Sequence, residues 1–251
     1  MTPWEAAAIF AAGIGAGGIN AVVGSGSLIT FPTMVSVGLP PIVANVSNNI
    51  GLVPGSLTGA LGYRAELKGQ RDRLIRLGTA SVVGSAIGGV LLLFLPATTF
   101  DVVVPILIGL ACVLVVIQPR LNRWLNARRE EPHPHGGPWL WIGVFAAGIY
   151  GGYFGAAQGV LLIGLLGSFI DEDLQRVNAA KNVLSLLVNA TAAVLFIAIA
   201  KVDWRAVALV ALGATVGGFL GAKVGRKLPA PVLRTFIVCV GLLAIVKLVY
   251  G

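Results

Sequence analysis

The chain has 251 residues, of which 57% are hydrophobic and 11% are charged, and it carries a net charge of +8 at pH 7. A soluble domain carries about 25% charged residues to coat its surface, so this composition excludes a soluble globular protein. The positive charge does not indicate nucleic-acid binding, because the basic residues lie in short loops without interleaved aromatic side chains. The sequence therefore predicts an all-α protein, a polytopic helical bundle in a lipid bilayer.

The first predicted element is a glycine-rich membrane segment over residues 4–39. No acidic or basic residue occurs from Ala6 to Tyr63. That stretch is longer than the about 20 residues that one membrane-spanning helix needs. The first residues lack the positive charge of a signal peptide, so the segment is expected to stay in the membrane.

The run Gly24-Ser25-Gly26-Ser27 predicts a break inside this segment. Two glycines separated by single polar residues weaken a helix and free backbone N–H groups. Unwound backbone at membrane depth is tolerated only where protein or a water-filled cavity satisfies it. A helix that restarts after the break points its positive end at the cavity and attracts anions. These four residues are therefore candidate substrate-binding residues.

A polar face runs along the next predicted helix, residues 42–63. Asn45, Asn48 and Asn49 lie three and four positions apart, so they share one face of that helix. A buried amide is costly unless it is hydrogen-bonded, and its two N–H donors suit an oxyanion. Asn45 and Asn49 are therefore candidate ligands of a substrate. The alternative is that they hold the two halves of the bundle together.

Two further helices are predicted over residues 74–95 and 100–117, and charged loops separate the membrane segments. Gly84 and Gly88 have the spacing of close helix packing. Basic loops beside membrane helices stay on the cytoplasmic side. Two basic clusters are present, namely Arg64, Lys68, Arg71, Arg73 and Arg76, and Arg120, Arg123, Arg128 and Arg129. His133 and His135 fall in the linker, where a solvated loop is favoured over a metal site, so no metal or other cofactor is predicted.

The second half repeats the first half at a constant offset of 133 residues. The matched positions include Gly26 and Gly159, Asn45 and Asn178, Asn49 and Asn182, Gly84 and Gly217, Gly88 and Gly221, and Leu95-Pro96-Ala97 and Leu228-Pro229-Ala230. Paired asparagines and a three-residue match at one offset are not easily accidental. The sequence predicts a membrane repeat at 1–117, a charged linker at 118–138 and a second repeat at 139–251. About eight membrane segments are expected in all.

The charge pattern predicts that the two repeats have opposite orientations. In the first half the basic loop follows the asparagine helix. In the second half the heavier basic cluster lies one loop later, at Lys223, Arg226, Lys227 and Arg234. If basic loops face the cytoplasm, each half crosses the membrane an odd number of times, and a broken or re-entrant glycine-rich segment supplies the odd count. Inverted repeats place a transport site at their interface near the bilayer midplane.

The second half contributes Gln158 and Gly159 at its own break, and a polar helix face with Asn178, Lys181 and Asn182. An ionisable residue inside a membrane span indicates a functional site, so Lys181 is the charged candidate. The alternatives are that it snorkels to the headgroups or pairs with a carboxylate at 171–173. No acidic residue lies deep in a predicted span. One positive charge, amides and helix ends therefore favour an anionic substrate.

These motifs resemble those of the sulfite exporter TauE/SafE family. The first-half motif is the run from Gly17 to Leu28, which reads GGINAVVGSGSL, followed by Pro32, Gly38-Leu39-Pro40 and Ala44-Asn45. The second-half motif is Gly155, Gln158-Gly159 and Asn178-Ala179-Ala180-Lys181-Asn182. The resemblance covers nearly the whole chain. It implies a duplicated multi-span transporter of sulfur-containing or organic anions, such as sulfite, thiosulfate and sulfoacetate.

The expected function is a secondary transporter of the inner (plasma) membrane that exports a small anion. An anion channel is the first alternative. A membrane-embedded enzyme is disfavoured, because the sequence shows no Ser/His/Asp set and no metal-ligand cluster. The sequence leaves open the exact substrate, the coupling ion, homo-oligomerisation and the side on which the N-terminus lies.

Overall fold

The computed structural model describes residues 1–127 and 136–224, together with residues 235, 238, 239, 242 and 246. Within the two continuous ranges the regular elements are helices, so the all-α prediction is confirmed there. They are α1 Pro3–Val22, α2 Ser27–Ser36, α3 Pro41–Gly62, α4 Arg71–Phe94, α5 Ala97–Ala127, α6 Gly137–Tyr153, α7 Gln158–Phe169, α8 Leu174–Ile199 and α9 Trp204–Val224.

Five of the described helices are long and apolar enough to cross a membrane: α1, α4, the Thr98–Ile117 part of α5, α8 and α9. This is fewer than the eight predicted segments. Helix α6 has only 17 residues, and α3 carries three asparagines that lower its hydropathy. The last predicted helix, at 232–249, lies outside the continuously described residues. Helices α2 and α7 have 10 and 12 residues, too short to cross a bilayer, for which about 20 are needed.

The predicted linker begins later than expected. Helix α5 continues past Ile117 to Ala127, and α6 begins at Gly137. The first part of segment 118–138 is therefore helical, and α5 continues through Pro119, where the sequence favours a helix end. His133 and His135 lie outside the described residues.

The helix bounds follow the offset on which the duplication was predicted. Pro41 and Leu174 begin α3 and α8, and they are separated by 133 positions. Arg71 and Trp204, which begin α4 and α9, have the same separation. The packing crosses between halves: α1 and α3 contact α9, α4 contacts α6 and α8, and α3 contacts α8. The first and second halves are thus interleaved in one bundle.

Glycines allow two of these helix pairs to approach closely. A Cβ atom at Gly88 would overlap the carbonyl group of Ile149 in the α4–α6 contact. A Cβ atom at Gly217 would overlap the carbonyl group of Ile14 in the α1–α9 contact. Gly84 and Gly221 are equally close to backbone of α6 and α1. The packing role predicted for these four glycines is therefore confirmed.

An ionic network, the Glu172 network, ties the loop between α3 and α4, and the first turn of α4, to the start of α8. The Glu172 carboxylate accepts hydrogen bonds from Arg73, at 3.1 Å, and from the Nε of Arg176. Arg176 also donates to the Lys68 carbonyl at 3.1 Å, and Gln70 donates to the Arg176 carbonyl at 3.1 Å. These hydrogen bonds, that from Arg176 first, hold the pKa of Glu172 below its usual value.

Candidate substrate site

Two helix breaks lie at the centre of the bundle. The first separates α1 from α2, and Gly24 there has a φ of 86°. The second separates α6 from α7, where Gly155 and Ala157 have φ values of 76° and 58°. Left-handed backbone costs an L-residue about 1–2 kcal/mol, so Ala157 is held there by its surroundings. The break predicted at residues 24–27 is confirmed, and a second is present just before Gln158.

The two breaks contact each other through backbone atoms. The N–H of Gly159 donates to the carbonyl of Gly24 at 3.0 Å. A Cβ atom on either residue would overlap the Cα of the other. Glycine is therefore required at both positions for the breaks to meet.

Lys181 is completely buried, with 0% of its surface exposed. Its Nζ donates to the carbonyl of Asn20 at 2.6 Å and lies 3.4 Å from that of Ala21. Both carbonyls belong to the last turn of α1, where orphan carbonyls give the helix end a partial negative charge. Lys181 therefore does not snorkel to the headgroups, and the nearby Glu172 bonds Arg73 and Arg176 instead.

Two asparagines of α8 bind the same helix end. The Nδ2 atoms of Asn178 and Asn182 each donate to the Ala21 carbonyl at 3.1 Å. With Lys181 they form one face of α8 that caps the broken α1. The Oδ1 of Asn178 is buried and has no hydrogen-bond partner among the described residues.

Two asparagines of α3 hydrogen-bond to different neighbouring helices, Asn45 to the end of α6 and Asn48 to α2. Asn45 donates to the Tyr153 carbonyl at 2.9 Å, at the end of α6. Asn48 donates to the Ser27 hydroxyl at 3.2 Å and accepts a hydrogen bond from Thr30. Asn49 is buried, and its Oδ1 lacks a partner in the described part of the chain. Asn45 thus holds the second break as Asn178 holds the first.

A small polar cavity of about 20 Å³ lies between the two breaks. Its lining residues are Asn20, Gly24, Ser27, Ser56, Gly155, Gln158, Gly159, Asn182, Ser185 and Asn189. Across it Asn189 donates to the Ser56 hydroxyl at 3.1 Å, a contact between positions 133 residues apart. A water molecule needs about 10–15 Å³ of such space, so the cavity admits little more than one water and the site is closed.

The expectation of free N–H donors at the breaks is wrong at two positions. The N–H of Gly26 donates to Asn20 Oδ1 at 2.7 Å, and that of Gly159 is bonded to Gly24. A closed site must satisfy its buried backbone groups internally, and here protein acceptors do so. Ser25 Oγ and Gln158 Nε2 instead are buried polar atoms without a partner in the described residues. They are the groups at the breaks that a ligand can still engage.

The predicted residues thus lie around one centre, but some line the cavity and others bind helix ends beside it. Five of them line the cavity, namely Gly24, Ser27, Gln158, Gly159 and Asn182. Asn45, Asn178 and Lys181 bind helix ends beside it. The predicted site omitted five lining residues, namely Asn20, Ser56, Gly155, Ser185 and Asn189. Ser56, Ser185 and Asn189 continue the polar faces of α3 and α8, so the helical period places them on these faces, although they were not predicted as substrate ligands. Over the residues that the structure describes, no group of His, Cys, Asp or Glu could hold a metal ion.

Comparison with known proteins adds a family to this geometry. The model of the family described as Sulfite exporter TauE/SafE matches residues 9–248. The chain belongs to the sulfite exporter TauE/SafE family. It is a multi-pass membrane transporter, since several of its helices can span a membrane and its relatives in this family carry transporter names.

Those relatives are similar along nearly their whole length. The probable membrane transporter protein YfcA of Escherichia coli K12 is 27% identical over 255 residues, covering 100% of this chain and 91% of that protein. A probable membrane transporter protein of Haemophilus influenzae is 25% identical, with 97% and 94% covered. A third, ORF9 of a Sinorhizobium species, is 22% identical, with 96% and 90% covered. No solved structure matches the chain.

Proposed function

We propose that this transporter carries a small anion, a sulfur oxyanion or an organosulfonate such as sulfite, thiosulfate or sulfoacetate, out of the cell. The observation that carries the proposal is the buried amine of Lys181 beside a polar cavity between two helix breaks. A buried charge is costly unless it is paired. Both hydrogen-bond partners of Lys181 in the described residues are neutral carbonyls, so an anion would supply the missing countercharge.

The groups around the cavity fit the oxygens of such an anion. Among the described residues, the amide nitrogen of Gln158, which lines the cavity, has no hydrogen-bond partner, and neither has the hydroxyl of Ser25 at the first break. Amide and hydroxyl groups donate hydrogen bonds to oxyanions, and an amine donates charge-assisted ones, which are stronger. Because the cavity holds little more than one water, binding requires α1 or α7 to move apart from the opposite break.

A duplicated and inverted architecture would provide that movement. The offset of 133 residues relates the starts of α3 and α8 and the contact between Ser56 and Asn189. In inverted-repeat transporters one repeat rocks against the other around a central site, which is thereby exposed to each side in turn. An inside-negative potential favours outward anion movement by about 2.3 kcal/mol per charge per 100 mV. Export therefore needs no second ion.

A binding screen tests the proposal. Purified protein is titrated with sulfite, thiosulfate, sulfoacetate, sulfate and chloride while thermal unfolding is followed. An anion present at about 100 times its Kd stabilises the folded state by about 2.7 kcal/mol. We expect a sulfur oxyanion or sulfonate to raise the melting temperature, and chloride to leave it unchanged.

Two lysine variants test whether the anion binds at the cavity beside Lys181. Lys181→Gln removes the buried amine, and Lys201→Gln removes an exposed one in the loop after α8. The ligand-induced shift should vanish in Lys181→Gln and persist in Lys201→Gln. A wild-type protein that no sulfur anion stabilises would contradict the proposal, as would an undiminished shift in Lys181→Gln.

A further inference from the structure

An apolar groove of about 680 Å³ runs between α4 and α8, away from the central cavity. Its lining residues are Leu67, Arg71, Leu74, Ile75, Gly78, Thr79, Val82, Val83, Val183 and Leu187. Ile75 and Val83 are 58% and 48% exposed, so the groove opens on the outside of the bundle. Both helices are long and apolar enough to span the membrane. The groove therefore lies on the outer surface of two helices that can span the membrane.

The depth of the groove comes from Gly78. On α4 this residue lies between Leu74 and Val82, one turn away from each, and it adds no side chain to the floor. A Cβ atom there would come within 3.0 Å of Leu187 on α8. The missing side chain leaves space between the neighbouring side chains of α4 and α8. The volume of the groove lies within the range of small-molecule sites, about 300–1,000 Å³.

One end of the groove is basic. Among the described residues that line the groove, Arg71 is the one that carries a charge, and the hydroxyl of Thr79 already donates to the Arg76 carbonyl at 2.7 Å. Arg71 is exposed, and its guanidinium has no hydrogen bond or ion pair with the residues that the structure describes. Arg73, two positions on, is bonded to Glu172. The groove thus joins a long apolar floor to one available guanidinium.

We propose that this groove binds an anionic phospholipid. An acyl chain would lie along Leu74, Gly78 and Val82, and the headgroup phosphate would contact Arg71. A guanidinium binds phosphate oxygens with paired, charge-assisted hydrogen bonds. The basic loop beside it is expected on the cytoplasmic side, and the leaflet on that side is rich in anionic lipids. The occupant is chosen by charge complementarity and by the membrane setting of the groove.

This inference is independent of the transported substrate. It rests on Arg71 and the outer face of α4 and α8, whereas the proposed function rests on the cavity at the helix breaks. A bound lipid would bridge the two helices at the end where the Glu172 network lies.

Native mass spectrometry of the full-length protein in detergent tests the headgroup contact. The protein is titrated with phosphatidylglycerol or with phosphatidylcholine of the same acyl chains. We expect phosphatidylglycerol to bind more tightly, and Arg71→Ala to raise its apparent Kd about fivefold, as expected for one basic residue at an anionic surface. Arg64→Ala, which removes an exposed arginine outside the groove, should leave the Kd within about twofold. Equal binding of the two lipids, or equal losses in both variants, would overturn the proposal.

A second pair of variants tests the acyl-chain contact without changing charge. Val82→Trp fills the groove, and Val90→Trp places the same bulk elsewhere on α4; the two valines are 37% and 42% exposed. We expect Val82→Trp to weaken phosphatidylglycerol binding and Val90→Trp to leave it unchanged. If Val82→Trp leaves lipid binding intact and instead dissociates a dimer, a second copy of the chain occupies the groove and the lipid assignment is wrong.

Discussion

At the scale of single residues, Gly24 and Gly159 determine how closely the two helix breaks approach. The left-handed φ of Gly24 is readily available only to glycine. The backbone contact with Gly159 also excludes a Cβ atom. The two requirements are independent, so a substitution at Gly24 meets both a conformational and a steric penalty.

Gly24→Ala should therefore lower the stability of the protein by more than about 2 kcal/mol, because the left-handed conformation alone costs about 1–2 kcal/mol. Gly167→Ala is the matched control, since a Cβ atom at this helical position of α7 meets nothing within 4 Å. Helix propensity predicts that this control gains about 1 kcal/mol. Thermal unfolding in detergent measures both, and equal melting temperatures for the two variants would refute the tight contact.

For the polar residues of α8, the sequence predicted the chemistry of the side chains but not the groups that they bind. The spacing of Asn178, Lys181 and Asn182 places them on one helix face, and the structure confirms that they act together on the end of α1. The helix end that they cap could not be inferred, because periodicity within α8 does not say which backbone lies opposite. Asn20 lies within the family motif but was not predicted as a site residue, and the residue 133 positions later is Tyr153, so it has no amide counterpart in the second half.

At the scale of elements, the Glu172 network fastens the loop before α4 to the start of α8. Glu172 is 19% exposed at its side chain and receives hydrogen bonds from two arginines. Such a network must loosen if α4 and α8 separate during transport. It is a candidate closure of the site on the side of the basic loop.

Removing this carboxylate should loosen the closure. We expect Glu172→Gln to cost about 1 kcal/mol of stability, the upper range for partly exposed ion pairs. Asp72→Asn, which neutralises an exposed carboxylate nearby, should change stability by less than half as much. Chemical denaturation at neutral pH compares the two variants. Identical unfolding midpoints would show that Glu172 does not contribute to closing the site.

The pH dependence of the Glu172 contribution follows from its lowered pKa. A carboxyl whose folded-state pKa is depressed stabilises the protein fully above the ordinary glutamate value of about 4.3. That contribution is lost as pH falls through the lowered value. The difference in stability between wild type and Glu172→Gln should therefore be constant from pH 6 to pH 8, within about 0.5 kcal/mol, and should shrink only in strongly acidic solution.

Helix bounds were predicted well where a glycine or proline marks them, as at Gly24-Ser25-Gly26-Ser27 and before α3. At the end of α5 the predicted bound differs from the structure, because the helix continues through Pro119 to Ala127 although a proline normally ends or kinks a helix. The prediction of about eight membrane segments is not confirmed: five described helices are long and apolar enough to cross a membrane, and the last predicted segment lies outside the continuously described residues. Hydropathy alone does not separate a full crossing from the short helices that follow the two breaks.

At the scale of the whole molecule, the interleaved packing of the two halves is consistent with repeats of opposite orientation. Lys68 and Lys201 test this directly, because both are exposed and they are separated by the repeat offset of 133 positions. Each is replaced by cysteine in a background in which Cys112 and Cys239 are serine. A membrane-impermeant maleimide is then applied to intact spheroplasts.

Inverted repeats predict that Lys201→Cys is labelled from outside and that Lys68→Cys is labelled only after the membrane is permeabilised. The reason is that the basic loop containing Lys68 is expected in the cytoplasm. Labelling of both cysteines from the same side would show that the repeats are parallel.

The central claim, transport of a small sulfur anion around Lys181, is tested most directly by efflux from proteoliposomes. Vesicles are loaded with sulfite, thiosulfate or sulfoacetate, and release is followed under an inside-negative potential. The account predicts saturable release of at least one of these anions, reduced at least tenfold, or about 1.4 kcal/mol, by Lys181→Gln and unaffected by Lys201→Gln. Release no faster than from protein-free vesicles for every anion, or an equal rate in Lys181→Gln and wild type, would contradict it.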